Sequence, residues 1–141
     1  MMKRLRILLL CMTLPLTAWA ANDPLTVSNA WIKQLPPVVP VRAGYVTLVN
    51  TSDRPLRLVA VSGEDFARVE LHETELVDGT MRMLQRDAFE IPARGTLELK
   101  PGGKHLMLFD PARPLTAGDS TELLLEFDDG SSLRQAFEIR P

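Results

Sequence analysis

Two histidines and two methionines form one spaced pattern: His72, ten intervening residues, Met83, twenty-one more, His105, one more, Met107. His72 and His105 are the only histidines in the chain. Every methionine beyond the first twelve residues (Met81, Met83 and Met107) falls in the same window. Imidazole is a borderline ligand, thioether a soft one, and both are neutral. Such a set suits Cu(I) far better than Zn²⁺, Mg²⁺ or Ca²⁺. The bound ion would keep a net charge of +1, which disfavours Cu(II) and its preference for harder, tetragonal N/O sets. Thioethers need no deprotonation, so only the histidines make binding pH-dependent. Affinity is expected to fall as pH drops through the ordinary histidine range near ~6.5.

Taken singly, none of these residues argues for a site. A histidine is more often hydrogen-bonded or solvated, and a methionine more often fills an irregular core gap. Their co-location changes the balance. So does the i, i+2 spacing of His105 with Met107 and of Met81 with Met83, which puts two donors on one face of a strand. Met81 reads as a neighbour of the site, its place among the ligands left open.

The elements that must position these residues are strands. Beyond residue 20 no stretch holds a helical period, and short β-rich runs alternate with turn residues. Strands are expected near Leu25–Lys33, Gly44–Asn50, Leu56–Ser62, Arg68–Leu76, Thr80–Gln85, Ala88–Ile91, Thr96–Lys100, His105–Phe109, Thr121–Asp128 and Ser132–Arg140. Asp78-Gly79 and Asp129-Gly130 mark hairpins, and Pro101-Gly102-Gly103 a forced turn. Pro36-Pro37-Val38-Val39-Pro40 and Asp110-Pro111-Ala112-Arg113-Pro114 read as connections. The pattern predicts one all-β domain, a sandwich or barrel. Alternation puts Val69 and Leu71 inward with Glu70 and His72 outward, Leu106 and Leu108 inward with His105 and Met107 outward, and Met81 with Met83 on one face. The expected result is a surface or near-surface cluster, provided the three strands are adjacent.

The N-terminus has the three-part build of a secretory signal peptide. Lys3, Arg4 and Arg6 precede an apolar run over residues 7–16, and Ala18-Trp19-Ala20 is a small-x-small ending. Cleavage is expected after Ala20, giving a leader over 1–20 and one domain over 21–141. The apolar run is shorter than the roughly 20 residues a membrane span needs. The whole chain has 16 Lys and Arg against 18 Asp and Glu. The leader holds three of the basic residues and no acids, so the mature chain has 13 against 18 and a formal charge of −5. That balance argues against a nucleic-acid partner. The sole cysteine, Cys11, leaves with the leader. The mature chain then has no disulfide, no thiolate ligand and no cysteine nucleophile, which also excludes a blue-copper electron carrier. No Ser-His-acid arrangement or phosphate loop marks an enzyme. Trp31 and Tyr45 read as core packing, with a ligand face on an exported β-sandwich binding module as the alternative.

The His-x10-Met-x21-His-x-Met spacing resembles the copper-binding motif of the periplasmic copper chaperones called PCu(A)C, residue for residue at His72, Met83, His105 and Met107. Lys100-Pro-Gly-Gly-Lys-His-Leu-Met-Leu108, Glu70-Leu-His-Glu-Thr74, Ala30-Trp31 and Ala43-Gly-Tyr-Val-Thr-Leu-Val-Asn50 resemble the family's flanking segments. The resemblance covers essentially the whole mature chain. It implies a cupredoxin-like Greek-key β-sandwich holding Cu(I). With the leader cut, the domain is expected in the periplasm, free of the membrane and as a monomer. The resemblance implies delivery toward the copper A centre in cytochrome c oxidase subunit II, alongside Sco-type thiol proteins. A copper buffer without a specific acceptor is the alternative role. Val38 departs from the glycine that often follows the Pro-Pro pair. The chain also ends without the His/Met-rich tail some members carry, so a separate Cu(II) site on such a tail is not expected.

Overall fold

The computed structural model describes residues 24–141. The expected leader and Cys11 lie outside the described residues. Ten strands follow in order: β1 (Leu25–Lys33), β2 (Val41–Asn50), β3 (Leu56–Ser62), β4 (Phe66–Val77), β5 (Thr80–Arg86), β6 (Phe89–Ile91), β7 (Thr96–Glu98), β8 (Lys104–Pro111), β9 (Ser120–Phe127) and β10 (Ser132–Arg140). Each expected strand is present; β1, β3 and β10 have the expected bounds and the others are shifted at one or both ends. β2 starts at Val41, three residues before Gly44, because Val41 and Arg42 pair with Phe109 and Leu108 of β8. β8 runs on through Pro111, which the sequence placed in a connection. There Pro111 faces Phe66 at the end of the ladder, where a missing N–H interrupts little.

The strands hydrogen-bond in the order β5-β4-β8-β2-β1-β10-β9-β3-β6, with β7 beside β2. Consecutive strands are often not neighbours, and β1 runs parallel to β10 while the other pairs are antiparallel. The sheet closes over one core of leucines, isoleucines and phenylalanines, among them Ile32, Leu48, Leu58, Leu106, Leu108, Leu123, Leu125 and Phe137. Fully burying each such side chain contributes about 1.5–3 kcal/mol. Gly44 sits where β2 crosses Leu106 and Leu108. A Cβ there would meet Leu108 Cδ1 at 3.0 Å and Leu106 Cβ at 3.4 Å.

Local chemistry sets the register that matters for function. Asp78 and Gly79 both adopt positive φ, 50° and 78°. That is the demand of a two-residue hairpin turn, and it fixes β5 against β4. Gly102 at φ 83° reverses the chain into β8. In β1 the register shifts between Ser28 and Trp31, with Asn29 at φ 50°. This bulge brings Trp31 opposite Tyr45. Arg42 points to the core side and donates to the carbonyls of Val39 (2.6 Å) and Val41 (2.9 Å), which ties down the Pro36–Pro40 loop.

Candidate metal centre

β5, β4 and β8 are neighbours, so the condition left open by the sequence is met. His72 lies directly opposite His105 in the β4–β8 ladder, and Glu70 opposite Met107. In the β4–β5 ladder His72 faces Gln85, Thr74 faces Met83 and Leu76 faces Met81. Strand alternation therefore puts His72, His105, Met107, Met83 and Met81 on one face. Leu71, Leu106 and Leu108 stand behind them in the core. The two imidazoles are 5.9 Å apart between ring centroids and tilted by 48°.

Met83 is displaced from the register of His72 by two residues, about 7 Å along the strand, and Met81 by four, about 13 Å. Met83 is thus the β5 thioether within closer reach of the histidines. Met107 is displaced from the histidine pair by two residues in the opposite direction.

The surface cluster expected from alternation is only partly found. His105 is 5% exposed and the His72 side chain 13% exposed, whereas Met83 is 51% exposed. The imidazoles are covered and one thioether stands open. Trp31 and Tyr45 stack at 4.6 Å on the side of β8 away from β4, and Tyr45 is buried, which raises its phenol pKa. On the other flank Arg68 lies over the Phe109 ring at 3.7 Å.

The hydrogen bonds assign a task to each ring nitrogen. His105 Nδ1 is 3.0 Å from the Gly103 carbonyl, which can only accept. Nδ1 therefore carries the proton and Nε2 is left with its lone pair. His72 Nε2 is 2.8 Å from Glu70 Oε2. Hydrogen bonds from His72 and from Arg68, whose Nε is 3.0 Å from Oε1, hold the Glu70 carboxyl below the usual carboxylate range. An ionised carboxylate accepts only, so the neutral imidazole of His72 carries its proton on Nε2. Its Nδ1 is buried and has no hydrogen-bond partner. A buried polar atom left unpaired costs about 1–3 kcal/mol, so such an atom calls for a ligand. A metal ion fits: a ligating histidine ordinarily donates its other N–H to a carboxylate or backbone carbonyl, and both histidines do so here. Among the described residues no group of three or more His, Cys, Asp or Glu side chains is arranged to hold a metal ion. The donors that can complete the pair are the thioethers.

On the opposite face of the same strands, Arg86 binds Glu73 (3.0 Å) and Glu75, and Lys104 reaches Glu73 at 3.2 Å. Burial raises the Glu73 carboxyl, but the hydrogen bonds from Arg86 and Lys104 outweigh it, so its pKa is lowered overall. This network joins β4, β5 and β8 next to His72. Sequence reasoning placed Glu70 on the face of His72 without giving it a part. The i, i+2 spacing was the available signal. The roles of Arg68 and the Gly103 carbonyl left no mark in residue types.

A family model described as "Putative lipoprotein LpqE-like" matches residues 25–139. The chain belongs to the LpqE-like family. This LpqE-like chain is 36% identical over 90 residues to "Uncharacterized protein RP573" of Rickettsia prowazekii, a match covering 63% of the chain and 50% of that relative. It thus spans half the length of that protein. Among solved structures, it is 34% identical to CuI-DR1885 of Deinococcus radiodurans, with 86% of this chain and 81% of that one covered and a TM-score of 0.64. It superposes on the "Copper-bound PCuAC domain from PmoF2" with a TM-score of 0.70, at 23% identity, over 83% of this chain and 92% of that domain. The fold of this LpqE-like chain is the cupredoxin-like β-sandwich of PCuAC domains, as the sequence resemblance implied.

Proposed function

We propose that this LpqE-like protein binds Cu(I) through His72, Met83, His105 and Met107 and carries it as a chaperone, without catalysing a reaction. The observation that carries this reading is the buried, unpartnered Nδ1 of His72, one register pair from His105 and on the face that holds the thioethers. His72 would offer Nδ1 and His105 would offer Nε2, each with its proton held on the far nitrogen. Met107 and Met83 would supply sulfur. Four neutral donors favour the monovalent ion. A copper-bound PCuAC domain of the same fold and the Cu(I) form of a 34% identical protein support the choice of metal.

The site suits transfer better than storage. Met83 is half exposed on a flexible, unbranched side chain, so one ligand can leave without disturbing the core. An acceptor with thiolates could then capture the ion by stepwise exchange. We place the protein in the periplasm, released from a leader over residues 1–20 as a monomeric domain over 21–141. The lipoprotein description of its family supports export. The proposed acceptor is the copper A centre of cytochrome c oxidase subunit II, with Sco-type thiol proteins as transfer partners.

Competition with a colorimetric Cu(I) chelator tests the site. The protein should take one equivalent of Cu(I), and His105→Ala combined with Met83→Leu should abolish that uptake. Tight Zn²⁺ binding without Cu(I) binding would defeat the reading. Loss of oxidase activity in a deletion strain at low copper is expected if the acceptor is the oxidase. Normal oxidase activity with copper sensitivity would point to buffering instead.

A further inference from the structure

Met81 is 59% exposed and Met83 51% exposed, on an edge strand. Neither fills a core gap, which is the ordinary use of methionine. They alternate with Arg82 on β5 and share the outer face of the β4–β5 hairpin, opposite Leu76 and Thr74. Leu76 is itself 67% exposed. The β4 acids Glu73 and Glu75 do not join them, for they lie on the other face and are bound to Arg86. The strand face therefore offers two thioethers and a leucine, and the one acid beside it, Asp78, lies in the turn. Met81 stands about 13 Å along the strand from the histidine register, too far to complete the inner set, yet only about 7 Å from Met83. Side chains of that length on one strand face can bring two sulfurs to a single ion.

We propose that Met81 and Met83 form an outer two-thioether station for a soft monovalent d¹⁰ ion, from which the ion passes to the inner site. The proposal rests on the reading that His72, Met83, His105 and Met107 hold Cu(I). Met83 belongs to both positions. On entry its sulfur keeps the ion while the bond to the Met81 sulfur breaks and the imidazole nitrogens bind. On exit the order reverses. The ion stays monovalent and no electron or proton moves. The open hairpin face gives the ion a path that the buried imidazoles lack.

Ag(I), which is not oxidised further in water, is the probe, and the full chain carries ¹³C-methyl methionine. In the unaltered protein one equivalent of Ag(I) should shift the Met83 and Met107 methyl signals and both histidine rings. If it does not, the inner-site reading fails, and the outer station fails with it. In His105→Ala, Ag(I) should shift the Met81 and Met83 methyls together and leave Met107 unmoved. Adding Met81→Leu in that background should remove the Met83 shift. If His105→Ala does not fold, His72→Gln serves the same purpose, because its ring is less buried. A Met81 methyl unmoved by excess Ag(I) in these variants, a Met83 shift that persists without Met81, or equal shifts with Zn²⁺ would overturn the station while leaving the inner site standing.

Discussion

Glu70→Ala should weaken Cu(I) binding without unfolding the protein. In the native site Glu70 accepts from His72 Nε2 at 2.8 Å and from Arg68 Nε at 3.0 Å. Its removal releases three constraints at once. The proton of His72 is no longer held on Nε2, so the tautomer with Nδ1–H, which cannot ligate through Nδ1, becomes populated. The ring loses the contact that orients it toward His105. The ligating nitrogen also loses the basicity that a carboxylate on the far nitrogen confers. Such outer partners are typically worth 10- to 100-fold in metal affinity, and about that loss is expected here. Arg68→Ala should cost much less, because Arg68 is half exposed and Glu70 keeps its bond to His72 without it. Two measurements check this. Chelator competition gives the affinities of the three proteins. Long-range ¹H–¹⁵N correlation of the apo protein reads the tautomer, which should be Nε2–H for His72 and Nδ1–H for His105. A native His72 protonated on Nδ1, or a Glu70→Ala protein with native affinity, would falsify the assignment of ring nitrogens.

Three further outcomes follow from the scaffold. Gly44→Ala puts a methyl 3.0 Å from Leu108 Cδ1 and should destabilise the fold by about 1–3 kcal/mol in urea melts, an overpacking cost. A native midpoint would mean the β2–β8 crossing is looser than described. Gly102→Ala meets no neighbour within 4 Å, yet forces alanine to φ 83°. It should cost roughly 1–2 kcal/mol of stability and also weaken Cu(I) binding, because the next carbonyl, Gly103 O, orients His105. Retained affinity would separate the turn from the site. Hydrogen bonds from Arg113 (2.9 Å to each oxygen) and Thr121 (2.6 Å) hold Asp65 below the usual carboxylate range. A lowered folded-state pKa means that Asp65 contributes fully above the unfolded value near ~3.9 and loses its contribution as pH falls through the folded value. Thermal melts of Asp65→Asn should therefore lie below the native protein at pH 7 and converge with it in strong acid. A gap of constant size would refute that linkage.

The strands and their inward leucines were legible because a period of two in Val69–His72 and His105–Leu108 needs no knowledge of partners. The Asp78-Gly79 hairpin made the pairing of β4 with β5 legible, but the adjacency of β4 and β8 was not, because it depends on a non-local return of the chain. The Trp31–Tyr45 pair was hidden for the same reason, because β1 bulges at Asn29 and thereby shifts Trp31 into register with Tyr45. Residue types identified donors, but they did not say which nitrogen of each ring is free. That answer comes from acceptors with a fixed sense. A backbone carbonyl at His105 and a carboxylate at His72 cannot donate, so each fixes a proton and thereby exposes the opposite nitrogen. The two rings present different nitrogens because their acceptors stand differently, one in the preceding turn and one two residues back on the same strand face. Met81 follows the same logic. Its spacing from Met83 puts it on the correct face, and register alone places it one step outside the inner ligands.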